Sequence, residues 1–387
     1  MQLGEDEVFL ARKIRLLPTK EQEELFWKSA GVARWAYNFY LSENKMVYEY
    51  TGKHVSGNEI RKVINNVLKP NTHTWLKEVS SNVMKQAVKD AENNLKRFFK
   101  GLSKYPEFKS KHKSKPSFYV NYESLHSTKN GFHGERLGDV KTSEPLPILE
   151  KGQHFLDPRI TYDGRFWYLS VHYKSKKFNI PLTDEVLGID LGIKSLAVVS
   201  NKDNTRSKVY ANINKSKEVK RLKRKLKHEQ RKHSKKLLVA KQLNRDLEDC
   251  KNLEKQRKKV NSVYKRLTNI RTNYIHQITT EIVKIKPSKV VMEDLKVSEM
   301  LKNKYLVKYV LEQDLRKFRN ILKYKCNVYN IEFILADRYY ASSKICSQCG
   351  NVKHDLKLSD RIYKCEKCGL VINRDLNASI NLANYNS

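Results

Sequence analysis

Two Cys-x-x-Cys pairs constrain the fold of this chain more than any other feature. Cys346-Ser-Gln-Cys349 and Cys365-Glu-Lys-Cys368 are separated by fifteen residues. That is the spacing of a four-thiolate zinc ribbon, in which each pair gives two ligands to one tetrahedral Zn²⁺. Gly350 and Gly369 each follow the second cysteine of a pair, where a tight knuckle often needs φ > 0. Four free core thiols or two disulfides are the alternative, and paired spacing of this kind argues against both. An isolated acid, Asp375, follows Cys368 by seven residues and opens an apolar-periodic helix carrying Leu376, Ile380 and Leu382/Ala383.

Charge narrows the partner. Lys and Arg number 77 against 42 Asp and Glu, a formal charge of +35 on 387 residues. An excess of that size repels itself unless a polyanion neutralises it, so it reads as a nucleic-acid footprint. A basic membrane-surface protein would share the charge, but the chain has no long apolar run and a mean hydropathy of −0.69. Its opening, Met1-Gln-Leu-Gly-Glu-Asp-Glu, is acidic where a signal peptide would be basic and then apolar. A cytoplasmic, nucleoid-associated location is expected, with no membrane partner. Four of the six cysteines are paired as ligands, which suits a reducing compartment, and Cys326 reads as a small buried residue.

Along the chain, Val8 to Leu17 alternates like a strand, and Pro18 stops it. Thr19-Lys-Glu-Gln22 is a capping box opening a helix striped by Leu25, Phe26, Ala30, Ala33, Tyr37 and Tyr40/Leu41. A second helix is expected over Ser81–Lys100. The loop Lys104–Lys115 interleaves aromatics with cations, and Lys104, Lys109, Lys111 and Lys113 are candidates for phosphate contact. A strand follows near Phe166–Tyr173. Residues 215–259 hold nineteen Lys or Arg, threaded by Val219, Leu222 and Leu226 and later by Leu243, Leu247, Cys250 and Leu253. This seam predicts a helical hairpin with a cationic surface, where Arg221, Arg224 and Arg231 would meet nucleic acid, with Arg271 beyond it. A solvated coiled hairpin is the plainer alternative.

Val186-Leu-Gly-Ile-Asp190-Leu-Gly-Ile193 places one acid in an apolar strand, and a second strand follows over Ser195–Ser200. An unpaired carboxylate there would cost several kcal/mol, so it must meet cations or metal. Lys289-Val-Val-Met-Glu293-Asp294-Leu295 repeats the pattern, and strand alternation lets only one of Glu293 and Asp294 face the same site. A helix over Val307–Cys326 and a strand over Ile331–Ala336 come next. Strand-borne Asp190, strand-end Glu293 and helix-start Asp375 outline an RNase H-like nuclease core. In such a core three carboxylates hold two divalent ions roughly 3.5–4 Å apart. Hard oxygen ligands favour Mg²⁺ or Mn²⁺.

At these residues the chain resembles the TnpB family, the transposon-associated RNA-guided nucleases often labelled OrfB transposases and related to type V CRISPR effectors. The resemblance spans nearly the whole chain. It is carried by Arg15-Leu-Leu-Pro-Thr-Lys-Glu-Gln-Glu, Phe108-Lys-Ser-Lys, Gly188-Ile-Asp-Leu-Gly, Val291-Met-Glu-Asp-Leu, Ser343-Lys-Ile-Cys-Ser-Gln-Cys-Gly and Arg374-Asp-Leu-Asn-Ala-Ser-Ile-Asn. It implies a multidomain α+β protein. A wedge β-barrel (1–20 and 101–184) would carry a helical recognition insert (21–100). A RuvC-like core (185–340 and 373–387) would carry a basic helical insertion (215–275) and a zinc ribbon (341–372). It also implies a triad of Asp190, Glu293 and Asp375, structural zinc on Cys346, Cys349, Cys365 and Cys368, a guide RNA, and double-stranded target DNA. The protein would act as a monomer within a ribonucleoprotein. Asn373 stands where many relatives have Asp. His276 is expected to be a hydrogen-bonded helix residue rather than a catalyst.

Three functions compete. An RNA-guided DNA endonuclease of a mobile element uses every motif. A nuclease-inactive guided DNA-binding regulator would be expected to lose triad acids, and all three are present. An accessory transposition protein remains, but among the eleven histidines no His-x-His pair exists for Tyr/His transposition chemistry.

Overall fold

The computed structural model describes residues 4–385 apart from 112, 248 and 358. The chain forms two compact units, Phe9–Ser175 and, together, Met1–Val8 with Lys176–Ser387. The first unit contains β1 (Glu7–Leu17), α1 (Lys20–Thr51), α2 (Gly57–Val63), α3 (Lys69–Asn71) and α4 (Ser81–Phe99). The short strands β2 (Ser117–Tyr119), β3 (His126–Thr128), β4 (Gly131–Gly134) and β5 (Gly138–Thr142) follow, then β6 (Leu156–Tyr162) and β7 (Trp167–Lys176). Seven strands make one sheet in the order β2-β6-β7-β1-β5-β4-β3.

The capping box forms as read. Thr19 Oγ1 accepts from the Gln22 amide at 3.2 Å, and Gln22 Oε1 accepts from the Thr19 amide at 3.1 Å. The apolar stripe of α1 meets that of α4 and the sheet in one core containing Phe26, Ala36, Tyr40, Val88, Ala91, Phe118, Ile160 and Trp167. Arg159 on β6 holds Asp90 on α4 with both guanidinium nitrogens, at 2.6 and 2.9 Å. The helices and the sheet thus share one interior.

The second unit begins with β8 (Thr183–Leu191), β9 (Ser195–Asn201) and β10 (Ser207–Ala211) and continues into the long helices α5 (Lys217–Gln242) and α6 (Lys251–Lys284). Then come β11 (Pro287–Glu293), α7 (Val297–Met300), α8 (Val307–Gln313), α9 (Leu315–Val328) and β12 (Glu332–Ala336). The hairpin β13 (Ile362–Lys364) and β14 (Val371–Asn373) precedes α10 (Arg374–Ala383). Five strands order as β10-β9-β8-β11-β12. The first three are antiparallel neighbours, whereas β8, β11 and β12 run parallel.

Two expectations are corrected here. The helix read over Val307–Cys326 is broken at Asp314, which takes a left-handed conformation (φ 54°) between α8 and α9. The hairpin is also longer than read. Val219, Leu222 and Leu226 pack against Val263, Leu267 and Ile270 of α6, while Leu243 and Leu247 lie exposed at the turn. Cys326 is fully buried as expected, and burial pushes its thiol up to about 12.

The two faces of the sheet are used differently. Leu187, Ile189, Val290 and Met292 pack against Ile275, Ile278, Phe318 and Leu322 of α6 and α9. On the other face Val291 packs against Leu382 of α10. At Gly188 the approach of α10 is so close that a Cβ would stand 1.9 Å from the Ser379 carbonyl oxygen and 2.3 Å from the Ala383 nitrogen. Both are backbone atoms and cannot swing aside. Gly188→Ala is expected to cost about 3 kcal/mol or more. The measurement is urea unfolding, and an unchanged midpoint would refute this packing.

Candidate active site and metal centre

Strand alternation and register place the first two acids. Met292 of β11 lies opposite Ile189 of β8, and both strands run in the same direction. One step further along each stand Glu293 and Asp190, side by side and pointing to the face opposite Ile189 and Met292. That is the face α10 covers. α10 begins at Arg374, and Asn373 caps it by accepting from the Asp375 and Leu376 amides at 2.9 and 3.2 Å. Asn caps a helix as well as Asp does.

Electrostatics shows the three acids meeting. Burial pushes the Asp190 carboxyl well above the usual carboxylate range, and the charges of Asp375 and Glu293 push it further, with Arg374 opposing. Burial also raises Glu293, against the pull of Arg374. Three carboxylates beside one guanidinium leave excess negative charge, which divalent cations would relieve. The carboxylates stand farther apart than the thiols do. Among the described residues only Cys346, Cys349, Cys365 and Cys368 bring all their ligand atoms within 4.8 Å of one another.

Asp294 is turned away, as alternation requires. Arg319 donates to one of its oxygens at 2.9 Å and Arg338 to the other at 2.8 Å. His276 lies on α6, which covers the opposite face of the sheet, so it cannot join the acids. Burial and the nearby Lys325 and Lys317 lower its pKa and keep it neutral.

The cysteines fit one zinc ion. Their sulfurs pair at 3.5 Å, Cys346 with Cys368 and Cys349 with Cys365. Tetrahedral thiolates with Zn–S bonds of about 2.3 Å would lie about 3.8 Å apart. No disulfide links them. Two knuckles repeat one hydrogen-bond pattern. Cys346 donates to the Asn351 carbonyl and Gly350 to that of Cys346, at 2.8 and 2.9 Å. Cys365 donates to Leu370 and Gly369 to Cys365, at 2.8 and 3.0 Å. Gly350 and Gly369 have φ of 72° and 74°, which is why glycine is needed there.

The ribbon grips the helix that carries Asp375. Buried Asn377 donates to the Ile345 carbonyl at 2.7 Å and accepts from the Ser347 amide at 2.9 Å. Asn381, one turn later, donates to the carbonyls of Ser342 and Ile345 at 2.7 and 2.6 Å. These asparagines and Arg374 were not singled out from the sequence. The signal was there: polar residues four apart on a helix face that is otherwise apolar.

Comparison with known proteins follows this geometry. A protein of Streptomyces pristinaespiralis described as "Putative RNA-guided DNA endonuclease" is 30% identical over 96% of this chain and 88% of its own length. The chain belongs to the TnpB (OrfB-type) family. InsQ of Escherichia coli (strain K12), which carries the same description, is 25% identical over 96% of this chain and 91% of its own length. Residues 170–304 match the family described as "Probable transposase", 316–382 the "Cas12f1-like, TNB domain" and 8–53 a "Helix-turn-helix domain". In this TnpB-family chain the last of these segments is β1 and the single helix α1. A structure titled "Cryo-EM structure of the Cas12f1-sgRNA-target DNA complex" has the same fold. Its TM-score is 0.57 at 14% identity, over 98% of this chain and 99% of that one.

The basic candidates of the TnpB-family chain divide in two. Lys104, Lys111, Lys113, Arg221, Arg224 and Arg231 are exposed. Lys109 is not presented to solvent. Its ammonium sits 3.8 Å from the Tyr37 ring centroid, and burial lowers its pKa. Arg271 is likewise a structural tie, donating to Asn214 Oδ1 at 2.8 Å with Glu312 at 3.7 Å. Each of these two cations has a partner inside its own unit. No helix among the described residues is long and apolar enough to cross a membrane.

Proposed function

We propose that this chain is an RNA-guided DNA endonuclease of a mobile element, cutting target DNA by metal-assisted hydrolysis at Asp190, Glu293 and Asp375. The observation that supports the reading is that two neighbouring parallel strand ends and one helix start bring Asp190, Glu293 and Asp375 toward one half-buried anionic site. Mg²⁺ or Mn²⁺ would be held by the three carboxylates, and when bound supplies water activation and stabilisation of the leaving 3′ oxygen. The chain's own part is to orient the acids. β8 and β11 fix Asp190 and Glu293 by register, and α10 delivers Asp375 with Arg374 beside it. On this reading the unit 176–387 is RuvC-like with its zinc ribbon, and the unit 9–175 is the wedge and recognition part. The guide RNA and double-stranded DNA partners rest on the descriptions of the relatives and on the +35 charge.

The test is reprogramming. Purified protein is supplied with two RNAs that differ only in their 3′ guide segment, with Mg²⁺ and both DNA targets. Cutting is expected to follow the guide. Cutting of the same DNA whichever RNA is supplied would make the chain a plain structure-selective nuclease.

The anionic site also predicts a stability effect. The folded-state pKa values of Asp190 and Glu293 lie above their unfolded values. The folded unit therefore binds these protons more tightly, and that stabilisation is lost as pH rises through the raised values. At neutral pH without metal, Asp190→Asn is expected to raise Tm by about 2–4 °C. The gain should shrink on acidification and on adding Mg²⁺ to the wild type. A lower Tm for the zinc-loaded variant in Mg²⁺-free buffer would contradict the crowding of charge.

A further inference from the structure

A glycine with no structural reason marks a second site. α1 runs unbroken from Lys20 to Thr51 with Gly31 in its interior, where glycine is less stable than alanine. At Gly188 close packing explains the residue. At Gly31 a Cβ would meet nothing within 4 Å, and no left-handed φ requires glycine. Gly31 instead lines a cavity of about 340 Å³, together with Trp27, Arg34, Lys111, Lys115 and Pro116. Trp27, Gly31 and Arg34 recur at i, i+4 and i+7, on one face of the helix.

The walls are built rather than loose. Tyr162 and Trp167 each hold the Trp27 ring edge-on at 4.9 Å, and the indole still keeps 43% of its surface exposed. Across the cavity, Asn38 clasps the Lys109 backbone, donating to its carbonyl and accepting from its amide, both at 2.8 Å. This fixes the segment that bears Lys111 and Lys115. Arg34 makes no hydrogen bond or ion pair with any described residue, and no acid among the described residues lines the cavity.

We propose that this cavity takes one nucleotide of a nucleic-acid strand, its phosphate on Arg34, Lys111 and Lys115 and its base against Trp27. The guanidinium of Arg34, which no described acid neutralises, selects a phosphate, and the apolar wall of Trp27, Ala30 and Pro116 suits an attached planar base better than a bare anion. Gly31 leaves the room the nucleotide fills. The proposal rests on the nucleic-acid reading above but not on cleavage.

The test uses full-length protein freed of RNA, zinc-loaded and in Mg²⁺-free buffer, with three fluorescein-labelled probes: single-stranded RNA, single-stranded DNA of the same sequence, and duplex DNA. Gly31→Leu and Arg34→Ala are expected to weaken at least one probe about tenfold. Arg34→Ala should also lower its log–log salt slope by about 0.7–0.9, the loss of one phosphate contact. Gly31→Ala and Gly31→Leu should melt at or above the wild-type temperature, which separates lost binding from lost folding. The probe that responds identifies the strand as RNA or DNA. Wild-type affinity and slope for all three probes in both Gly31→Leu and Arg34→Ala would overturn the proposal. Binding is read here without cutting, so a chain that binds this way yet does not cut guided targets once Mg²⁺ is supplied would sink the nuclease reading and leave this one standing.

Discussion

Asp190→Ala, Glu293→Ala and Asp375→Ala are each expected to reduce DNA cleavage at least about a thousandfold, a loss of about 4 kcal/mol of transition-state stabilisation. Nucleic-acid affinity should stay within a few fold of wild type, because it arises from exposed cations such as Arg221, Arg224 and Arg231. The three effects should not add. Each acid serves one site, so a double variant is expected to be no worse than the poorer single one. Guided cleavage assays with parallel binding measurements give the answer. Full activity in any one variant removes that residue from the site, and a matching loss of affinity would mean that the substitution had only disturbed the fold.

Cys346→Ser or Cys368→Ser is expected to release zinc and, with it, nearly all cleavage. Metal binding and local folding are one equilibrium in a ribbon of this size. Once the knuckles open, the carbonyl of Ile345 and the amide of Ser347 no longer meet Asn377, and α10 loses the clasp that seats Asp375. Asn377→Ala separates the two roles. It removes a buried two-way contact at a cost of about 1–3 kcal/mol, so zinc should remain by elemental analysis while cleavage falls. Wild-type protein without zinc, or a zinc-free variant that still cuts, would break this chain of cause.

Much of the site was legible because it violated ordinary sequence rules. Asp190 interrupts an apolar strand, and Glu293 ends another. Such placement is too costly without a purpose, and it was read on that ground. The cysteine spacing was legible for the same kind of reason, since four thiols in paired knuckles have few other uses. What could not be read was decided by tertiary context. Asp314 breaks a helix whose residues are all compatible with continuing it, and nothing local marks a left-handed position there. Lys109 and Arg271 look like their exposed neighbours in composition, yet Tyr37 claims one and Asn214 the other. Leu243 and Leu247 fit the apolar seam by period, but the turn of the hairpin lies where they stand. Charge and periodicity state what a residue offers. They do not state which partner reaches it first.

The order of the acids along the chain has a consequence for synthesis. Asp190 and Glu293 lie on β8 and β11, whereas Asp375 arrives last, on α10, after the ribbon that seats it. Units fold in the order they leave the ribosome, so the basic helices α5 and α6 are available to nucleic acid well before the third carboxylate exists. On the proposed reading, a nascent or prematurely released chain would present its basic helices but lack Asp375, and the cutting site would be complete only once the ribbon had closed and α10 had docked over Gly188.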